Sequence, residues 1–468
     1  MGNSLPQTVT ELKAILQGLD KALLEKALKW AKECYEAILE AIDEAIAEHR
    51  SKELVIVHLR TVWYQTCLGP VKVRRRQYQD RQGKYRYLLD ELLGMEKHSH
   101  ITLGVQALSV ELATMMPYRR AGEVLHKLTA IDLAHQTIHR LMGKVADPYQ
   151  KKTENEQRWF METGEIPKGE GKRVARLITE ADGVMLSLQR EKEKKAEVKL
   201  GIAYEGWEKV SKDRYRTVNK TVFTGVMGET AFWAGMTLKL QKKYDLSSTG
   251  QTIVGGDGAR WVKEGADYMG GQFQLDRYHL NRELTTALGR DKETKNKVWQ
   301  ACQCGHTEAA LQIISEAAKA AKGEQAQKIG HAYNYMWENR WGLVDYRLAL
   351  GDEGQKLRHT GAIEGNVDKI IARRMKNQGM SWTVKGIKRL LCIRLLVFEG
   401  KLTEWLAEKQ SPGPQISITG KKVRRLVNHL SIQEPDDWLK AGLPALRGPH
   451  ASHPWVQILR SLSEAQPL

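Results

Sequence analysis

"IVGGDGARWVKEGADYMGGQFQLDRYHLNREL", residues Ile253 to Leu284, decides how the rest of this chain is read. Its opening apolar run stops at Asp257, which lies among Gly255, Gly256 and Gly258. "TIVGGDG" predicts a buried strand that ends on an acidic residue, with a short helix after it. A second apolar stretch, "QFQLDRYHL", predicts another strand, delivers Asp276 and His279, and leads into a helix from about Arg277. The glycines around Asp257 would let a bulky phosphate backbone come close.

Working upstream, the pattern is α/β from residue 176. "VARLITEADGVMLSLQR" is an apolar strand with Asp182 embedded in it, "AEVKLGIAYEGWEKV" a second strand and "RTVNKTVFTGVM" a third. The charged turn "REKEKK" joins the first two as a hairpin, and a helix at about 228–244 precedes "TIVGGDG". Three antiparallel strands, a helix, then a strand ending in an acid is the order of an RNase H-like α/β core. That order makes the first and fourth strands neighbours, so Asp182 and Asp257 meet in space although 75 positions separate them.

Downstream, residues 285–355 read as mostly helical, an insertion within the core, and 360–396 as one or two basic helices interrupted at "NQGMSW". Glu364, in "HTGAIEGNVDKIIARRMKNQGMSW", is the candidate third carboxylate, in the first turn of a helix that Thr360 can cap. Three carboxylates suit two Mg²⁺ ions, with Mn²⁺ as a substitute, because hard cations take oxygen ligands. Such a pair makes an attacking oxygen more anionic and stabilises a leaving one in phosphodiester chemistry. At about 100° per residue Asp368 and Ile371 share a face with Glu364, while Arg373, Arg374 and Lys376 fan out as candidate DNA contacts. An ordinary solvated face is the other reading of those cations. His279 reads either as a group beside the carboxylates or the DNA, or as a hydrogen-bonded core histidine. Trp337 and Trp341 in "YMWENRWG" would stack on an unstacked base or pack within helices.

The segments "LLDELLG", "ADGVML", "GGDGARW", "LDRYHLNR" and "TGAIEGNVDKIIARRMKNQGMSW", in this order, resemble bacterial insertion-sequence transposases of the ISLre type, relatives of the Mutator-like transposases. The resemblance covers roughly residues 55 to 400. It implies an Asp-Asp-Glu triad of Asp182, Asp257 and Glu364 that is both catalytic and metal-binding. It also implies an accessory pair, Asp276 and His279, in the pattern Asp276-Arg-Tyr-His279. Related enzymes insert a helical block between the second Asp and the Glu, which fits the 107 positions from Asp257 to Glu364.

Composition agrees with a nucleic-acid partner. The chain has 468 residues, 41% hydrophobic and 28% charged, and Lys plus Arg outnumber Asp plus Glu by 73 to 56, giving a formal +17. The excess recurs at "VKVRRR" (71–76), "KVSKDRYR" (209–216), "IARRMKNQ" (371–378) and "GKKVRR" (420–425). Spread cations suit a long polyanion, here double-stranded DNA at element ends and target. A soluble chain that simply runs basic is the alternative, and no basic amphipathic helix with a bulky apolar face points to a membrane. Five scattered cysteines form no disulfide framework. Cys302-x-Cys304-x-His306 invites a zinc reading, but its spacing is short and no second pair follows. "MGNSLPQ" does not fit the myristoylation pattern, and no signal peptide or run of eighteen apolar residues is visible. The expected location is the cytoplasm of a bacterium, at the nucleoid.

The expected organisation is an amphipathic helical arm (1–50), a small antiparallel β region (51–98), a helix-turn-helix region (99–150), a linker (151–175), the catalytic core (176–400) and a tail without an assigned role (401–468). The arm packs on its own domain or dimerises. Arg74 to Arg76 lie along a DNA backbone or on a solvated sheet face. In "YRRAGEVLHKLTAIDLAHQTIHRLMGKV" a first helix carries Arg119 and Arg120, and Ile131 and Leu133 plug the turn. A second helix, His135 to Val145, offers Thr137, His139 and Arg140 for base and phosphate contacts. A generic three-helix bundle shows the same periodicity. The function expected is a transposase, homo-oligomeric on DNA, that cuts element ends and joins the 3′-hydroxyl to target DNA. A nuclease of the same fold, or a non-catalytic DNA-binding regulator, is the alternative.

Overall fold

The computed structural model describes residues 9–95, 99–166, 169–212, 214–376 and 379–408, so most of the tail from 401 lies outside the described residues. The chain divides into two compact units: Met1–Leu108 with Gly122–Leu133 and Glu404–Leu468, and Ser109–Ala121 with Ala134–Thr403.

In the first unit the arm is one helix, α1 (Val9–His49), and it packs on its own unit. Strands β1 (Val55–Thr66) and β2 (Gly69–Gln79) form an antiparallel hairpin, with a short β3 (Tyr85–Arg86) and helix α2 (Leu88–Leu92) after it. Leu39 and Ile46 of α1 meet Tyr64, Val71, Val73 and Tyr78 in the core. The polar side of α1 is used as well. Glu36, Glu40 and Asp43, three and four residues apart and so on one helix face, accept the backbone N–H groups of Lys72, Arg74 and Arg76 at 3.0, 3.1 and 3.2 Å. These donors alternate along the edge of β2 and would otherwise invite another strand. Arg74 also pairs with Glu40 (2.9 Å), Arg76 with Asp43 (2.6 Å), and the buried Arg75 with Asp90 (2.8 Å) while it lies 3.6 Å above the Tyr87 ring. All three arginines of the basic strand are therefore paired inside the unit, with Arg75 buried and Arg74 exposed on the sheet face.

Helices α3 (Leu103–Met115), α4 (Tyr118–Leu128) and α5 (His135–Thr163) follow. Ile131 is fully buried and Leu133 half-buried between α4 and α5 in the chain. Helix α5 does not stop near Val145. It continues past Pro148 to Thr163, where Gly164 turns left-handed (φ 69°), so the first half of the stretch read as a linker is helical.

The second unit is built on a mixed sheet of β4 (Arg176–Ser187), β5 (Lys195–Tyr204), β8 (Thr221–Gly225), β9 (Gln251–Gly256) and β10 (Gln272–Leu275), in the order β10-β9-β4-β5-β8. β4, β5 and β8 pair antiparallel, and β9 and β10 run parallel to β4. The second and third expected strands are each broken in two. After Tyr204 the chain turns at Gly206 (φ 150°), and Trp207–Ser211 (β6) and Arg214–Thr217 (β7) form a separate two-stranded ribbon. Alternation along β4 sends Leu177 and Ala181 to one face, against Phe232 and Trp233 of α6 (Glu229–Gln241) and Trp261 and Val262 of α7 (Arg260–Tyr268). Glu180 and Asp182 belong to the opposite face.

Helices α8 (Arg277–Leu288), α9 (Lys292–Gln303), α10 (Thr307–Ala320) and α11 (Gly323–Glu338) enclose a core of their own that includes Leu284, Val298, Leu311 and Met336. After α12 (Gly351–Gln355) comes a helical run: α13 (Ile363–Val367), a π-helical turn (Asp368–Ala372) and α14 (Arg373–Met375). α15 (Val384–Phe398) and α16 (Leu402–Glu408) close the described chain.

Candidate active site

β4 and β9 are paired through Ala181 and Gly256, so Asp182 and Asp257 sit one step further along neighbouring strands. Asp257 follows the end of β9, its carboxylate accepting the Ala259 N–H (2.9 Å) and its carbonyl accepting the Tyr335 hydroxyl (2.7 Å). The glycines beside it make room for the protein itself. A Cβ on Gly256 would stand 2.6 Å from Val262, and one on Gly258, whose φ is +91°, would stand 2.5 Å from the Asn339 side chain. Close approach is their use here, to α7 and the end of α11.

Glu364 reaches the same place by another route. Thr360 does not cap its helix: it is buried with its side chain against Gly255. The cap is Glu180, whose carboxylate accepts the N–H groups of Gly361 (2.9 Å), Ala362 (3.1 Å) and Ile363 (3.0 Å), together with the Tyr204 hydroxyl. Burial pushes the Glu180 carboxyl up, and those donors oppose it; burial also raises Tyr204 well above the usual phenol range, so Tyr204 stays a donor. On the other side of Thr360, His359 Nδ1 lies 3.1 Å from Asp345, which also holds Arg277 (2.6 Å) and Arg347 (2.9 Å). Burial raises the Asp345 carboxyl, but hydrogen bonds from His359 and Arg347 outweigh it and hold the group well below the carboxylate range. The segment carrying Glu364 is thus tied at both ends of the "HTGAI" stretch.

The carboxylates feel one another. Burial pushes Asp182 up to about 6, with the charges of Glu364 and Asp257 adding to it and the Gly183 N–H (2.7 Å) and His279 opposing it. His279 Nε2 lies 2.8 Å from Glu364 Oε1. Asp276 is 1% exposed and caps α8 by accepting the N–H groups of Tyr278 (2.7 Å) and His279 (3.2 Å). It therefore aims the turn that presents His279, while burial raises its own carboxyl. With Glu364 turned to His279, no group of three or more His, Cys, Asp or Glu side chains among the described residues closes tightly enough to grip an ion. The donor set still fits a hard cation: it is all oxygen beside one imidazole, and its mutual repulsion is what a dication relieves.

The other sequence-derived candidates separate by exposure. Arg119 and Arg120 are exposed on α4. On α5, Thr137 is half-buried and accepts from the exposed Arg140 (3.2 Å), and the exposed His139 meets the Tyr118 ring edge-on at 5.5 Å. Arg373 is exposed but paired with Asp368 (2.6 Å), and Lys376 is exposed. Arg374 is corrected: it is 4% exposed, both its Nε and Nη2 donate to the Ala113 carbonyl at 3.1 Å, and it packs over Trp382. The π turn adds a residue to the helix, so a wheel drawn at a constant 100° assigns the wrong cation to the surface. Trp337 and Trp341 are not core residues; they are 45% and 77% exposed, with Arg340 over both rings. Cys302 is buried in the helical core, its thiol pushed up to about 12, and Cys304 is exposed. Glu180, Tyr204 and His359 were missed. Glu180 left a signal, being an acid two positions before Asp182 in an apolar strand and so on the same face.

What the fold and site define is a mixed α/β protein whose five-stranded sheet gathers three acidic residues from two paired strands and a following helix. The chain belongs to UPF0236, described as an uncharacterised protein family, whose model matches residues 10–410. It is 25% identical over 432 residues to UPF0236 protein TTE2489 of Caldanaerobacter subterraneus subsp. tengcongensis, covering 90% of this chain and 86% of that protein. A second relative from the same organism is 26% identical over 432 residues, 90% of this chain and 85% of its own length, and its printed name joins eleven loci. The UPF0236 protein in the vanSb 3′ region of Streptococcus gallolyticus is 25% identical over 416 residues, 82% of this chain and 85% of that protein. Among the described residues no helix is long and apolar enough to cross a membrane.

Proposed function

We propose that the chain is a DNA transposase with an RNase H-like core that cleaves the ends of its own insertion element and joins the 3′-hydroxyl to target DNA. The observation that carries this reading is the shared field of Asp182, Asp257 and Glu364, drawn from strands one and four and a later helix of a sheet ordered β10-β9-β4-β5-β8. A relative present at eleven loci of one genome supports mobility. Two divalent cations, Mg²⁺ or Mn²⁺, would be held by these three carboxylates and would supply charge for activating the attacking oxygen and stabilising the leaving one.

The chain's own residues have separate tasks in this reading. Glu180 holds the Gly361–Ile363 backbone, and so the root of Glu364, in place. Asp276 aims the α8 turn so that His279 steadies Glu364 until it is needed as a ligand. Arg119, Arg120, Thr137, His139 and Arg140 meet element-end DNA through a helix-turn-helix, and Arg373 and Lys376 meet phosphates beside the site. The DNA partner places the protein in the bacterial cytoplasm, as a homo-oligomer when bound to two ends.

The test is to incubate the full chain with Mg²⁺ and duplexes carrying the element's ends, then map nicks and joined products. Asp182→Asn, Asp257→Asn and Glu364→Gln should each lower nicking by about 10²–10³-fold or more, the scale of losing one preorganised electrostatic group, while end binding persists. Near wild-type nicking by one of them removes that residue from the triad. Nicks without joined products would leave the nuclease reading in its place.

A further inference from the structure

The β6–β7 ribbon, absent from the sequence-derived strand order, carries exposed positive charge beside the sheet. Among the described residues Lys209, Lys212 and Arg214 have no acidic partner, and all three are exposed; Arg216 is turned to Glu208. Val210 and Tyr215 are exposed between them, at 58% and 38%. Short exposed ribbons with apolar tips are normally selected against, since they offer edges and patches to other chains. Here the charge argues for a polyanion instead.

The ribbon is not a loose hairpin. Trp207 at its foot packs edge-on against Tyr204, with ring centroids 5.4 Å apart, and Tyr204 donates to Glu180. From the other side the exposed Arg358 lies 3.9 Å from the centre of the Tyr215 ring and 5.5 Å from that of Trp207. Arg358 is six positions before Glu364 in the segment that Glu180 anchors. One continuous chain of contacts therefore runs from the ribbon to the root of the third carboxylate.

We propose that the β6–β7 ribbon is a duplex-DNA contact of its own, a basic arm that lies in a groove of the substrate and holds it at a set distance from Asp182, Asp257 and Glu364. This rests on the transposase reading and adds a surface to it. A two-stranded ribbon is a shape that the major groove, about 12 Å wide, admits. Its reach follows from the register. Leu200 lies opposite Asp182, and the four residues from there to Tyr204, at about 3.3 Å each, carry β5 to the foot of the ribbon before the chain turns at Gly206. That is roughly 13 Å, or about four phosphates along one strand at 3.4 Å each. Because phosphate contacts position without reading sequence, the arm should act alike on any duplex.

The experiment compares the full-length wild type with a Lys209→Ala, Lys212→Ala, Arg214→Ala triple variant on a 40-base-pair duplex of random sequence, across a series of NaCl concentrations. Each lost phosphate contact should flatten the log Kd against log[salt] slope by about 0.9, so the variant's slope falls by roughly 2–3 and its affinity in low salt by about 10-fold or more. Footprinting on an end-bearing duplex should show protection lost from about four nucleotides from the nick outward. Unchanged thermal unfolding checks that the variant is folded, and a Lys209→Glu, Lys212→Glu pair should deepen the loss. A slope, affinity and footprint equal to wild type overturn the proposal, as does a variant defect confined to vesicles of anionic lipid, which would make the arm a membrane contact. If the wild type itself binds no duplex, the transposase reading fails instead.

Discussion

Two basic stretches of this protein look alike in sequence, both lie on antiparallel strand pairs, and they differ in what their charges meet. "VKVRRR" (71–76) lies on β2, where Glu36, Glu40, Asp43 and Asp90 meet its backbone and its three guanidinium groups. "KVSKDRYR" (209–216) lies on a ribbon where Lys209, Lys212 and Arg214 meet no acid among the described residues. The first set of charges is met within the fold, and the second is not met by acids among the described residues. A net charge of +17 counts both alike, so it bounds what the chain meets without saying where.

The distinction between charges satisfied inside and charges left open can be broken by mutation. The largest effect is expected at Glu180. Glu180→Ala leaves three backbone N–H groups and the Tyr204 hydroxyl without their acceptor in a buried place, and should cost about 3–5 kcal/mol of unfolding free energy in denaturant titration. Glu180→Gln, which keeps an acceptor oxygen, should lose less; equal losses would mean that the carboxylate's charge rather than its cap matters. Asp43→Ala should destabilise by about 3 kcal/mol, because the wholly buried carboxylate serves both the N–H and the guanidinium of Arg76. If it proves neutral, the basic strand is held by its apolar core alone.

Neighbouring arginines sharpen the same point. Arg374→Ala should cost about 2–3 kcal/mol, having lost two hydrogen bonds and buried packing, while Arg373→Ala, at an exposed pair, should stay within about 0.5 kcal/mol. Reversal of that order would mean that the π turn does not set the register. A smaller and pH-dependent effect is expected at Asp182. Its carboxyl is raised to about 6, so the fold prefers it protonated, and wild-type stability falls as pH rises through about 6. Asp182→Asn should therefore be more stable than wild type by roughly 1–2 kcal/mol at pH 7.5, after allowance for solvent screening, with the gain fading by pH 4. A gain independent of pH would trace to packing. Smallest of all, the ribbon triple variant should change unfolding by no more than about 0.5 kcal/mol.

Much of the second unit was legible because its signals are local. Apolar runs of strand length, an acid at a strand end and the Gly-bounded turn near Asp257 place β4, β9, β10 and α8 close to where they lie. The ribbon was hidden because "AEVKLGIAYEGWEKV" reads as one run, and the break depends on Gly206 adopting φ 150°. The length of α5 was hidden by composition: a polar, Pro-containing stretch reads as a linker, but Gln157 donating to Ala231 and Lys242 pairing with Glu156 hold it as helix.

Apart from the break that makes the β6–β7 ribbon and the length of α5, the sequence by itself determined the course of the core strands, and with it that Asp182 and Asp257 stand on paired neighbours and that Glu364 follows on a helix. These rest on backbone geometry, which repeats every few residues and can be read locally. Only the tertiary structure decided which charge meets which. Glu180 reaches Ile363 across 183 positions and Arg374 reaches Ala113 across 261, and Asp43 meets Arg76 across 33. A side chain's partner is set by where the packed elements bring it, and burial decides whether going without that partner costs anything.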